Sequence, residues 1–264
     1  MTPPIPAPTL TSRLLNSDPA AFSKATQSAF LRSAALGQLQ KDTLGTWLAN
    51  DRLYIHSYIK AAGLLLAFLE YPQAIPKSGA GADAFTVRLL EWVIDALVNI
   101  RREEKFFLDA ASRYGIPIDL PIGEDGRASD AAKLEGLRRF EDLFGSVSPG
   151  NGSLPWLEAA VLFYATEKAY LEAWTWAKSQ LVEQDPSEDA DGGALRVEFI
   201  PNWTSKEFVV FVDQLGDIID EAVSEQVGIH GVRTMEELSD RALKVWARVL
   251  AAEEVFWPEV PGAV

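Results

Sequence analysis

Apolar residues recur along this chain at spacings of three and four over long stretches, the period of an amphipathic helix rather than of a strand. The pattern predicts helices over about 18–38, 41–70, 83–114, 129–144, 154–183, 205–227 and 234–257. Four segments rich in Pro, Gly or small polar residues separate them, at 72–81, 116–127, 145–152 and 184–193. Start signals support several helices. Asp18-Pro19 offers a cap with proline at the first helical position. Thr204…Glu207 and Thr234…Glu237 fit the capping-box spacing, in which hydroxyl and carboxylate satisfy each other's free amides. Only Ala194 to Ile200 alternates as a strand would. No repeat of solenoid length is visible, and the linkers are short enough for neighbouring helices to pack antiparallel. The expectation is one all-α domain over 18–258, after a disordered Pro-rich leader (1–17) and before a short tail (259–264).

One helix carries an anomaly. Trp47, Asp51, Tyr54, Ile55 and Tyr58 share a stripe that is aromatic and apolar apart from a carboxylate and two phenols. Burying a carboxylate costs several kcal/mol, by rough estimate, unless something pairs with it. Asp51 therefore either has a protein partner or awaits a ligand. Two further helices place acids on inward faces: Glu253 with Phe256 and Trp257, and Glu158 with Val161, Leu162 and Ala165. Carboxylates converging from different helices suggest a central cavity rather than a closed core.

Composition narrows the partners. The 264 residues are 48% hydrophobic and 10% aromatic, enough for a sizeable core. A net charge of −14 argues against nucleic acid and anionic membrane, whose phosphates need clustered Lys and Arg. The chain has no cysteine, so disulfides, thiolate metal sites and thiol nucleophiles are excluded. The longest apolar run, Ala61 to Leu69, falls well short of the roughly 20 residues of a membrane span, and the N-terminus carries no targeting signal. A cytoplasmic location is the simplest expectation. The two histidines, His56 and His230, have no convincing ligand setting. Neither a metal nor another cofactor is expected.

Three motifs, in order, resemble the TenA/thiaminase II family, whose all-helical fold is that of heme oxygenase. They are Trp47-Leu-x-x-Asp51-x-x-Tyr54, Phe208-x6-Leu215-Gly216-x3-Asp220 and Glu253-x-x-Phe256-Trp257. Gly37 and Tyr114-Gly115-Ile116 are also consistent, and the resemblance covers about 25–257. It implies that Asp51 holds the amino-pyrimidine ring and that Tyr54 orients it. It also implies that Glu253 is general acid and base for the leaving group and that Phe256 walls the pocket. Dimers and tetramers are common in the family, so a homo-oligomer is expected. The residues agree with such chemistry, since a flat heterocycle with an amidine-like edge suits an aromatic slot closed by one carboxylate.

The chain departs from the family pattern in ways that bear on the reaction. Val161 stands where thiaminase-type members carry their cysteine, six residues before a glutamate matching Glu167. Valine cannot form a covalent adduct. Trp203, next to Asn202, replaces a tyrosine five residues before Phe208, and 146–152 replaces a Tyr-rich segment. Glu158, one turn before Val161, is the candidate carboxylate for activating a water instead. The expected activity is hydrolysis of C–N bonds in thiamin or its pyrimidine breakdown products without a covalent step. Glu253 and Glu158 are the catalytic candidates, and Trp47, Asp51, Tyr54, Val161, Trp203 and Phe256 the binding ones. The alternative is an altered or inactive member that binds a small aromatic heterocycle.

Overall fold

The computed structural model describes residues 8–73 and 81–260. Ten α-helices account for most of them: α1 (Leu10–Ser17), α2 (Pro19–Thr26), α3 (Ala29–Ala35), α4 (Lys41–Phe68), α5 (Gly81–Tyr114), α6 (Glu135–Gly145), α7 (Leu157–Ser179), α8 (Ile200–Trp203), α9 (Lys206–His230) and α10 (Arg233–Glu254). No strand occurs among the described residues beyond one isolated bridge, Ile122 to Ala128. The expected all-α bundle is what forms.

Local signals explain the helix starts, with revisions. The Asp18 side chain accepts from the Ala21 amide and Pro19 opens α2, as the sequence suggests. The expected helix over 18–38 is two helices, because Ser28 caps a second start by accepting from the Leu31 amide. Thr204 is not a cap. Its hydroxyl turns back to the Ile200 carbonyl, and the neighbouring Ser205 caps α9. Thr234 lies inside the first turn of α10 and makes no capping box.

Two expectations about order change. Residues 10–17, assigned to a disordered leader, form α1, with Leu10 and Leu14 fully buried. Leucines four apart give the helix one apolar face, and Asp220 of α9 fastens its start by accepting from the Thr11 amide at 2.8 Å. The flanking prolines hide this short pattern from the sequence, and residues 1–7 lie outside the described ones. Likewise 194–200 is not extended: Leu195–Phe199 is a π-helical turn running straight into α8. Asp191 accepts from the Gly193 and Leu195 amides and fixes where that turn begins. Of the expected tail, Glu259 and Val260 are described, and Val260 packs against the core.

The core is unusually aromatic. Trp47 lies with ring centroids 5.5–5.6 Å from Phe30, Trp174, Trp203 and Trp257, joining α3, α4, α7, α8 and the chain end. Helix α6 reaches the end of α10 through Gly136. Its amide donates to the Val255 carbonyl at 3.1 Å, and a Cβ there would lie 2.5 Å from the Phe256 Cα. Only glycine allows that approach, which sets the end of α10, just after Glu253, against α6.

Candidate functional site

A cavity of about 290 Å³ opens between α4, α5, α7 and the 202–211 segment. Helix α4 contributes Asp51, Tyr54 and Ile55. Helix α5 contributes Ala96, Ile100, Glu103 and Phe107. From α7 come Thr166, Glu167 and Tyr170, and Trp203, Phe208 and Phe211 close the far wall. Exposed Asn99, Arg102, Asn202 and Glu207 surround the mouth. The body of the cavity is thus aromatic, with the carboxylates of Asp51, Glu103 and Glu167 on its walls and that of Glu207 at its mouth.

Asp51 is 4% exposed and has no hydrogen-bond or ion-pair partner among the described residues. Desolvation, then the negative charges of Glu103, Glu253 and Glu167, push its carboxyl well above the usual aspartate range. The Tyr54 ring stands edge-on to Phe140 and Phe144 at 5.0 and 5.2 Å, and burial holds its hydroxyl well above the usual tyrosine range. The Tyr58 hydroxyl donates to Glu167 Oε1 at 2.7 Å. Burial outweighs that bond and, with the Glu103 charge, pushes Glu167 up to about 7. Glu103 accepts from the Trp203 indole and from the Asn202 amide, and burial raises its carboxyl.

Glu253 is 3% exposed, and its Oε1 has no partner. Burial pushes it up to about 8. It does not line the cavity, but it lies close enough for its charge to raise both Asp51 and Tyr170. The Tyr170 hydroxyl and the Trp47 Nε1 are also buried without partners. Buried polar atoms are normally satisfied, so the unpartnered Tyr170 hydroxyl on the cavity wall is a group that a ligand or water there would complete.

The expected site residues therefore divide. Asp51, Tyr54 and Trp203 line the cavity. Trp47 and Phe256 do not; they are buried in the packing behind it, with Phe256 5.9 Å from Tyr54, ring to ring. Val161 is wholly buried core and does not reach the cavity. Glu158 is elsewhere: Arg241 grips both its oxygens at 2.7 Å, beside a smaller depression formed with the 146–150 loop. Its charge on an apolar face, which made it a candidate for activating water, is accounted for by this ion pair.

Sequence reasoning did not pick out Glu103, Glu167 and Tyr170 as site residues. The signal was present: Ile100, Glu103 and Phe107 share one face of α5, as do Phe163, Glu167 and Tyr170 on α7. The Phe208…Asp220 motif divides too, with Phe208 on the cavity wall and Asp220 holding α1. Gly216 leaves room for Tyr164, whose ring a Cβ would meet at 3.1 Å. His56 is engaged by Glu104, at 2.9 Å. No group of His, Cys, Asp and Glu with metal-holding geometry occurs among the described residues, and no described helix is long and apolar enough to cross a membrane.

Comparison with known proteins establishes the architecture. No protein-family model matches the chain. A curated Fusarium pseudograminearum protein, described as a probable transcription factor, is 26% identical over 273 residues. The match covers 92% of this chain and 51% of that protein, so the chain spans about half the length of this curated relative. Among solved structures, a TenA homologue from Pyrococcus furiosus superposes with a TM-score of 0.65 at 23% identity, over 94% of this chain and 98% of that one. A TenA family transcription regulator from Silicibacter gives 0.64 at 13% identity, covering 94% of each chain. A TenA homologue from P. horikoshii gives 0.64 at 17%, covering 94% and 96%. The chain thus has the multi-helical, heme oxygenase-like fold of TenA homologues.

Proposed function

We propose that this protein is a divergent member of the TenA/thiaminase II family that binds an aminopyrimidine around Asp51 and hydrolyses a C–N bond in it without a covalent intermediate. The observation that carries the reading is Asp51 itself, a buried carboxyl with no protein partner on the wall of an aromatic cavity. An aminopyrimidine edge presents an exocyclic amine and a ring nitrogen to one carboxyl group. Asp51 accepts from the amine and shares a proton with the nitrogen, while Tyr54 and Trp203 flank the ring.

Two carboxyls suit proton transfer near neutral pH, since catalytic efficiency favours groups that titrate close to the working pH. Glu167, at about 7 and on the wall, takes a proton from the attacking water. Glu253, at about 8, holds a proton at neutrality and delivers it to the departing amine as the C–N bond breaks. That second role requires Glu253 to reach the cavity once ligand is bound. The water oxygen bonds to the carbon, and the electron pair of the broken bond leaves on nitrogen.

A second reading is binding without turnover. It is favoured by the absence of a thiol and by the position of Glu253 behind the wall rather than on it. A thermal-shift screen of thiamin, its pyrimidine fragments and their formylated derivatives tests what both readings share. A ligand at a hundred times its Kd adds about 3 kcal/mol of stability, so a clear rise in Tm is expected for at least one of them. No rise with any would remove the pyrimidine assignment.

A further inference from the structure

Asp51 suffices to hold a neutral aminopyrimidine, yet a second carboxylate faces the same space from another helix. We infer that Glu103 is a specificity-determining residue, a carboxylate held by Trp203 and Asn202 to receive a cationic group on the ligand. This inference rests on the cavity being a ligand site and adds the charge of what it admits.

Glu103 lines the cavity from α5 as Asp51 does from α4, and three donor contacts orient it. Its Oε1 accepts from the Trp203 indole and from Asn202, whereas Oε2 accepts only from Asn202, at 3.1 Å. A carboxylate has about four acceptor positions, so Oε2 keeps capacity for an incoming donor. The bonds it already makes hold it in place, which lowers the entropic cost of engaging a ligand. Glu103 has no basic partner among the described residues. Arg102, the one basic residue on the lining, is exposed at the mouth. A cation entering the cavity meets uncompensated acid on two walls, while an anion meets repulsion. The unpartnered, buried Asp51 is an independent sign that the cavity receives a ligand.

The experiment is isothermal titration of the wild-type chain and Glu103→Gln with two pairs of compounds. The first pair is 4-aminopyrimidine carrying an aminomethyl or a hydroxymethyl group at the same carbon. The second is benzylamine and benzyl alcohol, which lack the pyrimidine edge. Glutamine keeps the shape of the glutamate and an acceptor for Trp203 while removing the charge. Glu103→Gln is expected to weaken the aminomethyl compound at least tenfold and the hydroxymethyl one less than twofold. Equal weakening of both would mean that Glu103 only braces Trp203 and would overturn the inference, as would no change in either. Asp51→Asn, which should weaken both pyrimidines, controls for a general loss of the site. If the pyrimidines fail to bind but benzylamine binds in a Glu103-dependent way, the pyrimidine reading falls and the charge preference stands. Binding of benzylamine and benzyl alcohol with equal affinity, in the absence of pyrimidine binding, would overturn both.

Discussion

Glu253 is protonated in the folded chain at pH values where the unfolded chain has released that proton, and this gives its burial a measurable sign. A glutamate normally titrates near 4.5, and burial moves Glu253 to about 8 and Glu167 to about 7. Between those values the native state binds more protons than the unfolded one. Each group's contribution is therefore fully present below about pH 4.5 and is lost as pH rises through its folded pKa, by up to about 1.4 kcal/mol per pH unit. Urea unfolding of the ligand-free protein should show these two groups lowering stability from pH 5.5 to pH 8.5. In Glu253→Gln the fall should be shallower, most of all between about pH 5.5 and 7, where the folded glutamate is protonated and the unfolded one is not. An unchanged slope would mean that Glu253 is hydrated and ionised in the native state. Asp51 and Glu253 stood out in the sequence because each is a lone acid on an otherwise apolar helical face. Glu158 carried the same signal and proved to be paired with Arg241. Spacing along one helix reveals which face a residue occupies, but not what the neighbouring helix offers it.

At the scale of elements, helix type and order were legible because the 3.6-residue period persists over long segments. The exceptions are the short pieces. Helix α1 has one pair of buried leucines to advertise it, and the 195–199 turn looks extended because its apolar residues alternate. Helix α1 depends on a distant carboxylate, Asp220, that no local reading supplies, whereas the 195–199 turn is started by the nearby Asp191, which accepts from the Gly193 and Leu195 amides. The close passage of α6 over the end of α10 is equally non-local. Gly136→Ala would place a methyl against the Phe256 Cα and the Ala252 carbonyl, at 2.5 and 2.6 Å from where its Cβ must stand. Backbone cannot yield as a flexible side chain can, so the helices must separate. A loss of about 1–3 kcal/mol in chemical denaturation is expected, as for other overpacked cores. Affinity for a cavity ligand should fall as well, because α10 carries Glu253 and the residues just after it include Phe256, which packs on Tyr54. Full stability in this variant would show that α6 and the end of α10 have room for a methyl group between them.

The whole molecule is an aromatic bundle that leaves one cavity acidic and unneutralised. Asp51, Glu103, Glu167 and Glu253 come from three different long helices and the end of the chain's last one, so only the assembled fold brings them together. Each carries a desolvation cost that a closed, apolar core would avoid. That cost, retained beside an open space rather than removed by an arginine, is the strongest physical argument for a ligand. The net charge of −14 points the same way, towards small cationic or hydrogen-bonding molecules rather than phosphate-bearing polymers. Whether the bound ligand is also cleaved is read from the release of product. Purified protein incubated with thiamin and with aminomethyl- and formylaminomethyl-pyrimidines should release thiazole, ammonia or formate from at least one of them. Asp51→Asn should abolish this release, and Glu253→Gln should slow it by roughly 10²–10⁴-fold, the usual worth of a positioned acid or base. Release that continues undiminished in both variants, or ligand-induced stabilisation with no product from any of these compounds, would contradict the account.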